Sequence, residues 1–446
     1  MPFDRRTLLS AGAVTAGLAA AGPRAEAQTI AAGPAPLAAR DGEDQTAELQ
    51  AAINDAAAHG RPLRLGAGTF RTGPLELRPQ SHLTGEARLT TLAFTGGASF
   101  LSARAASGIR IERLALDGAR LAIDAHRATG LITLNACDDV LLADLVVRGG
   151  LLNGIALASS SGTVRDCTLS EMGEAGIVSL DARGLTISHN AILGCANNGI
   201  QIWRSAPGHD GSVVTANRIA KIAAKSGGSG QNGNGINVFR AGGVLVSANS
   251  IADCAFSAIR GNAAGNIQMI GNACRTLGEV ALYAEFGFEG ALIASNTVDG
   301  AASGIVTTNF NEGGRLALVQ GNLIRNLFRR ENEAVDKRGI GISVEADAAV
   351  TGNVIESAPT AGIMAGWGPY LRDVAITGNV IRAAEVGILV TSDPDAGGCL
   401  VAQNLISGAR KGAIRTMDHG KPHGPDLASA TSASSGRIAL SGNIAF

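Results

Sequence analysis

The sequence predicts a solenoid of stacked β-coils. Three observations carry the prediction: a phrase that recurs at a near-fixed interval, strand-type alternation inside it, and turn residues between its copies. The phrase is Asn or Asp, one residue, a branched apolar residue, and about ten positions later Gly-Ile-x-Val or a near variant. The Ile of its second half, or Leu282 in one copy, falls at 155, 177, 200, 236, 259, 282, 305, 342, 363, 388 and 414. Successive differences between these positions are 22, 23, 36, 23, 23, 23, 37, 21, 25 and 26. Self-similarity at so short a period means units that each stack on their neighbours.

Composition agrees. Of 446 residues, 46% are hydrophobic, only 3% are aromatic and 60 are Gly. That mixture suits a narrow interior of Ile, Val, Leu and Ala with a turn at every corner. Lys plus Arg number 37 against 38 Asp plus Glu, so no global basic field exists to hold nucleic acid or an anionic membrane. The six Cys residues have no CxxC or CxxH spacing, which gives a zinc site no support. Cys195 and Cys254 sit where other coils carry Ile222, Leu277, Ala301 and Leu327, so they read as small core residues without disulfide partners.

Taken in order, residues 1–27 read as a twin-arginine export signal. Arg5 and Arg6 precede an Ala/Gly/Leu stretch, and Ala25-Glu26-Ala27 offers cleavage after Ala27. The chain is thus expected in the periplasm or secreted, with no transmembrane segment in its mature form. Residues 28–40, rich in Ala and Pro, read as a linker. From Asp44, apolar positions at Leu49, Ala52, Ile53 and Ala56 predict one amphipathic helix ending before Gly60. Short alternating strands follow around Leu63, Phe70 and Leu75. The coils run to residue 417. Residues 418–446 read as a loose loop and a closing phrase, Ile438 to Ile444.

The segment Asp41-Gly42-x-Asp44-x-Thr46-x-x-Leu49-Gln50-x-Ala52-Ile53, followed by Gly66-x-Gly68-Thr69-Phe70, resembles the opening of pectate-lyase-like and polygalacturonase-like proteins. With the export signal, the whole chain is similar to exported repeat proteins of that superfamily. The resemblance implies an all-β fold, a right-handed single-stranded parallel β-helix of the pectin-lyase type with a short N-terminal capping helix. It also implies extended glycans as ligands along one sheet, with elimination, hydrolysis or epimerisation of uronates as the known chemistries. The polygalacturonase signatures are absent, and Asp393-Pro394-Asp395 lacks the His of the mannuronan epimerase motif.

Inside each coil the Asn phrase recurs at Asn190, Asn217, Asn249, Asn272, Asn296, Asn322, Asn353, Asn379 and Asn404, with Asp144 and Asp166 standing in earlier. Asn tolerates a left-handed corner and stacks into ladders, so these positions read as structural. In Gly-Ile-x-Val the intervening residue faces outward, which gives a stripe through Gln201, Asn237, Arg260, Tyr283 and Ser343. Two positions on are Trp203, Phe239, Asn262, Glu285 and Glu345.

Two insertions sharpen the stripe. From Asn217 to Ile236, and again from Asn322 to Ile342, the two halves of the phrase stand about twice as far apart as elsewhere. One insertion carries Lys221 and Lys225, the other Arg329, Arg330, Glu331 and Glu333. They are expected as two walls with Arg260, Tyr283 and Glu285 as the floor between.

That floor supplies the candidate catalytic residues. Arg260 neutralises a uronate carboxylate, Tyr283 or a loop Lys exchanges protons, and Glu285 with Glu345 is the nearest pair for a hydrolase. Gln201, Trp203, Asn237, Glu345 and Lys225 are the candidate substrate contacts. No cofactor or metal set is evident, although loop carboxylates leave calcium open, and Asp418, His419, His423 and Asp426 have ligand chemistry without a fixed frame. Two functions fit: recognition or modification of a polysaccharide, lyase-like or epimerase-like on uronates, or non-catalytic glycan binding or a structural role in the envelope. Oligomeric state is not readable.

Overall fold

Each coil is built from three short strands, and equivalent strands of successive coils pair into three sheets of 16, 15 and 15 strands. The first sheet contains Val140–Ala143, the second Val146–Arg148 and the third Asn153–Ala158 of one such coil. All pairings between coils are parallel. The result, in a computed structural model that describes residues 35–330, 338–429 and 434–446, is a right-handed parallel β-helix of about 14 turns. Pro36–Phe446 form one unit. Arg5, Arg6, the site after Ala27, and the loop residues Glu331 and Glu333 lie outside the described residues.

The recurring Ile column is the observed register. Ile155 pairs with Ile177, Ile177 with Ile200, Ile200 with Ile236, and the series continues through Leu282 to Ile414. All of these side chains are buried, and burying one such aliphatic side chain is worth about 1.5–3 kcal/mol. In most coils a Gly precedes the Ile, and it has a steric cause there, while Ala258, Ala281 and Ala413 take the position in three others. At Gly362 a methyl group would stand 2.7 Å from the Gly387 carbonyl of the next coil, closer than a Cβ can approach without the backbone shifting.

The Asn ladder forms at the corner between the first and second sheets. Asn296 shows the pattern: its N–H donates to Asn322 Oδ1 at 2.9 Å, and its Nδ2 donates to that oxygen at 3.0 Å and to Met269 O at 2.8 Å. The series runs from Asn190 to Asn404 and ends on Asn443 of the closing phrase. Two expectations are corrected. The left-handed residue is the one before each Asn, such as Ala216 (φ 56°), Ala248 (φ 54°) or Gly271 (φ 66°), while the Asn serves as a hydrogen-bond hub. Asp144 (φ 51°) and Asp166 (φ 57°) occupy that left-handed position, so the ladder column holds Leu145 and Cys167 there. An apolar side chain fits the column where its neighbour towards the N-terminus is apolar too.

Both ends are covered. The helix Thr46–Ala58 (α1) buries Leu49, Ile53 and Ala56 over the first coil, removing an open slice of core. Leu37, which the sequence placed in a linker, bridges Leu65 in parallel. At the other end Ile438–Ser441 and Ile444–Ala445 pair with the last complete coil. All six Cys thiols are buried and free. Desolvation pushes Cys195 and Cys274 up to about 12, as expected for packing residues rather than nucleophiles. No helix among the described residues is long and apolar enough to cross a membrane.

Candidate functional site

The outer face of the third sheet carries two columns. One runs Ser102, Thr133, Ala156, Val178, Gln201, Asn237, Arg260, Tyr283; the other runs Arg104, Asn135, Ala158, Leu180, Trp203, Phe239, Asn262, Glu285. Over the early coils this face is the floor of a groove of about 790 Å³. Residues 125–127 with Thr129, Leu152, Asn153 and Glu174 line one flank, and Gln231 and Asn232 stand near the end closed by Trp203. Asn153 ties the first loop down by donating to Thr129 O at 2.7 Å while accepting the Ala175 N–H at 3.0 Å. Asn197 accepts the Ser226 N–H at 2.9 Å and Asn198 donates to Gln231 O at 2.9 Å, which fixes the second loop.

Trp203 is held in place at the groove end. Its Nε1 donates to Asn237 Oδ1 at 3.0 Å, Asn237 Nδ2 donates to Gly230 O at 2.7 Å, and Phe239 meets the indole edge-on at 6.0 Å. With both polar needs of the indole edge and the amide met inside the protein, the ring itself lines the groove beside Gln201. The remaining floor is small and apolar, Ala156, Ala158, Val178 and Leu180. Arg104 and Arg127 balance Glu76 and Glu174 around the rim.

The expected cleft around Arg260 is not there. Both long insertions do leave the corner between the second and third sheets, following strands Arg218–Ile222 and Leu323–Arg325. Between them, however, the outward side chains are roofed. Arg260 is buried and donates to both oxygens of Glu285 at 2.6 Å, and to Glu279 at 3.2 Å. Asn262 donates to Glu285 at 2.9 Å, and the Arg260 guanidinium lies 4.9 Å from the Tyr283 ring centroid. Gly230 of one loop lies over Arg260, and Arg338 of the other approaches Glu279 at 3.5 Å. Burial lifts the Tyr283 hydroxyl to about 12. Glu345, the partner imagined for Glu285, accepts the Phe310 N–H at 2.7 Å. Lys225 is exposed and is not among the groove residues.

Of the sequence candidates, then, Gln201 and Trp203 line the open groove and Asn237 buttresses Trp203. Arg260, Tyr283 and Glu285 form a closed cluster. The missed feature is a third insertion at the same corner. Leu114 stands in the Asn column and Ile132 in the Ile column, so the stretch between them is nearly as long as the other two insertions. Counting Gly130-Leu131-Ile132 as a copy of the phrase would have exposed it. Among the described residues no cluster of three His, Cys, Asp or Glu is placed to hold a metal; Asp426 accepts the Ala413 and Ile414 N–H groups instead.

The carboxylates set a two-phase pH response. The Arg372 hydrogen bonds hold Asp347 below the ordinary 3.8, and those from Asn326 and Arg325 do the same for Asp299. Such groups contribute stability above the unfolded value that is lost as pH falls through the folded one. Burial raises Glu345 and Asp210; their contribution is present below the unfolded value and lost as pH rises through the folded one. The thermal midpoint should therefore rise as pH falls from neutral into the ordinary carboxylate range and drop once pH passes below that range. A Glu345→Gln chain should flatten the first phase, and an unchanged rise in that variant would refute the assignment.

Comparison with known proteins agrees with this architecture. The profile of the right-handed β-helix region matches residues 107–219, 153–324 and 207–372. No curated protein matches the sequence. Among solved structures, the N-terminal fragment of bacteriophage phi29 gene product 12 is 14% identical with a TM-score of 0.50, covering 89% of this chain and 68% of that one. The catalytic unit of a GH87 α-1,3-glucanase from Streptomyces thermodiastaticus strain HF3-3 is 14% identical at TM-score 0.48; the match covers 90% of this chain and 66% of that unit, just under two thirds. The surface adhesin PfbA of Streptococcus pneumoniae is 13% identical at TM-score 0.47, covering 82% and 91%. At 14% identity the likeness to the phi29 fragment is one of fold.

Proposed function

The chain belongs to the right-handed β-helix family, and from its open, charge-balanced groove we propose that it binds a polysaccharide chain along the early coils of the third sheet. The observation that carries this reading is Trp203, a fixed aromatic ring at the end of a trough with an aliphatic floor and amides at its rim. Rings stack on the apolar faces of sugars, and amides satisfy hydroxyls. Four coils separate the 125–129 flank from the coil after Trp203, about 19 Å at the strand spacing, so the ligand is a chain rather than a monosaccharide.

Charge selects the class of glycan. Two Arg and two Glu balance around the trough, which favours a neutral chain over a polyuronate. Lyase-like or epimerase-like action through Arg260 and Tyr283 has no support in this geometry. The guanidinium is already saturated by two carboxylates, and the phenol keeps its proton at physiological pH. The reading is therefore glycan recognition without turnover at that cluster. Export through Arg5, Arg6 and the site after Ala27 would set the partner in the envelope or outside it.

Titration with a panel of neutral glucans, mannans and galactans beside alginate and pectate tests this. At least one neutral chain should bind, and Trp203→Ala should weaken it at least tenfold, about 1.4 kcal/mol. Gln201→Ala should weaken it less. Retention of no glycan, or binding indifferent to Trp203→Ala, would remove the proposal. Release of unsaturated, ultraviolet-absorbing products would restore the lyase reading.

A further inference from the structure

The groove ends in two side-chain amides that the protein itself leaves unused. Gln201 and Asn232 are each only 9% exposed, and both line the groove beside Trp203. Neither carboxamide has a hydrogen-bond partner among the described residues. Their neighbours are committed: Asn197 donates to Ser226 Oγ at 2.8 Å, Asn198 to Gln231 O at 2.9 Å and Asn237 to Gly230 O at 2.7 Å. An amide withdrawn this far from water and left without a partner is costly. Two of them at one end of a trough mark a place where a ligand supplies the partners.

Both amides are held in position. Gln201 lies on strand Asn198–His209, two residues before Trp203, so carboxamide and indole stand on one face about 6.6 Å apart along the strand. One sugar ring fills that spacing. Asn232 is fixed through its backbone, whose carbonyl accepts Asn234 Nδ2 at 3.0 Å, and it bridges Ser229 within the loop.

The trough stops at this point. In the next two coils the outward residues Asn237 and Arg260 are 3 and 6% exposed, and Gly230 accepts from the first and lies over the second. In the other direction the floor runs on through Thr133 and Ser102 to Glu76, which is exposed. A glycan lying along the coils can continue towards Glu76 and cannot continue past Trp203.

We propose that Gln201, Asn232 and Trp203 form a terminal subsite that recognises the end of a neutral glycan, an inference that rests on the glycan reading and narrows it from a chain to a chain end. A terminal unit keeps a free hydroxyl where an internal unit carries the glycosidic oxygen. That hydroxyl both donates and accepts, so it satisfies a carboxamide that an ether oxygen can only half satisfy. An internal unit would also have to place its next sugar in the space held by the Gly230 loop. Neither amide carries charge, in keeping with a neutral end.

Competition binding to the whole chain tests this. Pullulan, a linear β-1,3-glucan, a linear mannan and a linear galactan are each offered at equal mass, intact and as a partial acid hydrolysate still long enough to fill the trough. For the glycan that binds, shortening it about tenfold should improve competition about tenfold, in step with the number of ends. Gln201→Ala and Asn232→Ala should each cut that advantage about threefold or more. The thermal midpoint should hold in both, since removing an unpartnered amide breaks no bond inside the protein. Asn232→Ala, on a loop, serves should the first variant misfold. Equal competition by polymer and hydrolysate, with Trp203→Ala still weakening both, would overturn end recognition and leave the glycan reading standing. An end preference untouched by both amide variants would overturn the subsite, and retention of no glycan would remove both readings.

Discussion

Asn296→Ala should lower the stability of the protein by about 3–5 kcal/mol, the scale of several buried polar groups losing their partners at once, although the residue touches no ligand. Its side chain accepts the Asn272 N–H at 2.9 Å and Asn272 Nδ2 at 3.0 Å while donating to Met269 O and Asn322 Oδ1. Truncation orphans two donors and a carbonyl at a corner where Asn296 and Asn272 are both almost fully buried. Each orphaned buried group costs about 1–3 kcal/mol, because the neighbours keep their polarity and lose their partner. Asn443→Ala is the informative contrast. It is the last member, only partly buried, and water can replace it beside Asn404. A loss of about 1 kcal/mol is expected there. Guanidinium midpoints of the two variants against the parent chain measure the difference. Equal losses at both sites would mean that the ladder contributes locally, residue by residue, and that burial does not set its strength.

The ladder also shows what the sequence makes legible. Period and alternation place the Ile column, α1 and the Asn corner, because each reports a repeated geometric demand that every coil must meet. The offset of Asp144 and Asp166 was not legible: Asp and Asn look alike as corner residues, and only the pairing of Val146 with Thr168 and of Thr168 with Ala191 separates the left-handed position from the hub. The groove was half legible. Gln201 and Trp203 were found by alternation, but the flank at 125–129 was lost because Gly130-Leu131-Ile132 departs from the phrase by one residue. For Arg260, Tyr283 and Glu285 the direction was read correctly and the environment was not. An outward residue is open or closed depending on where an inserted loop lies, and loop conformation leaves no period in a sequence.

That closed cluster makes the second large prediction. Arg260→Met should destabilise the protein by about 3–5 kcal/mol, since Glu285 and Glu279 stay buried while losing the guanidinium that neutralises them. Replacing both ends of the main pair, Arg260→Met with Glu285→Leu, should recover most of the loss. Glu279 then retains Arg338, and a hydrophobic pair of similar volume avoids the desolvation cost of two ions. Opposite results are expected if these residues were chemistry-bearing. A site that neutralises and deprotonates a substrate is not rescued by removing its second charged member, because Coulombic and proton-transfer roles have no apolar substitute. Glycan binding measured well below the thermal midpoint separates the cases further. The double variant should bind as the parent does, since neither residue lines the groove that contains Trp203. Loss of binding in a folded double variant would make the roof over Arg260 a cover that opens to ligand, and the groove on the early coils would then be only part of the site.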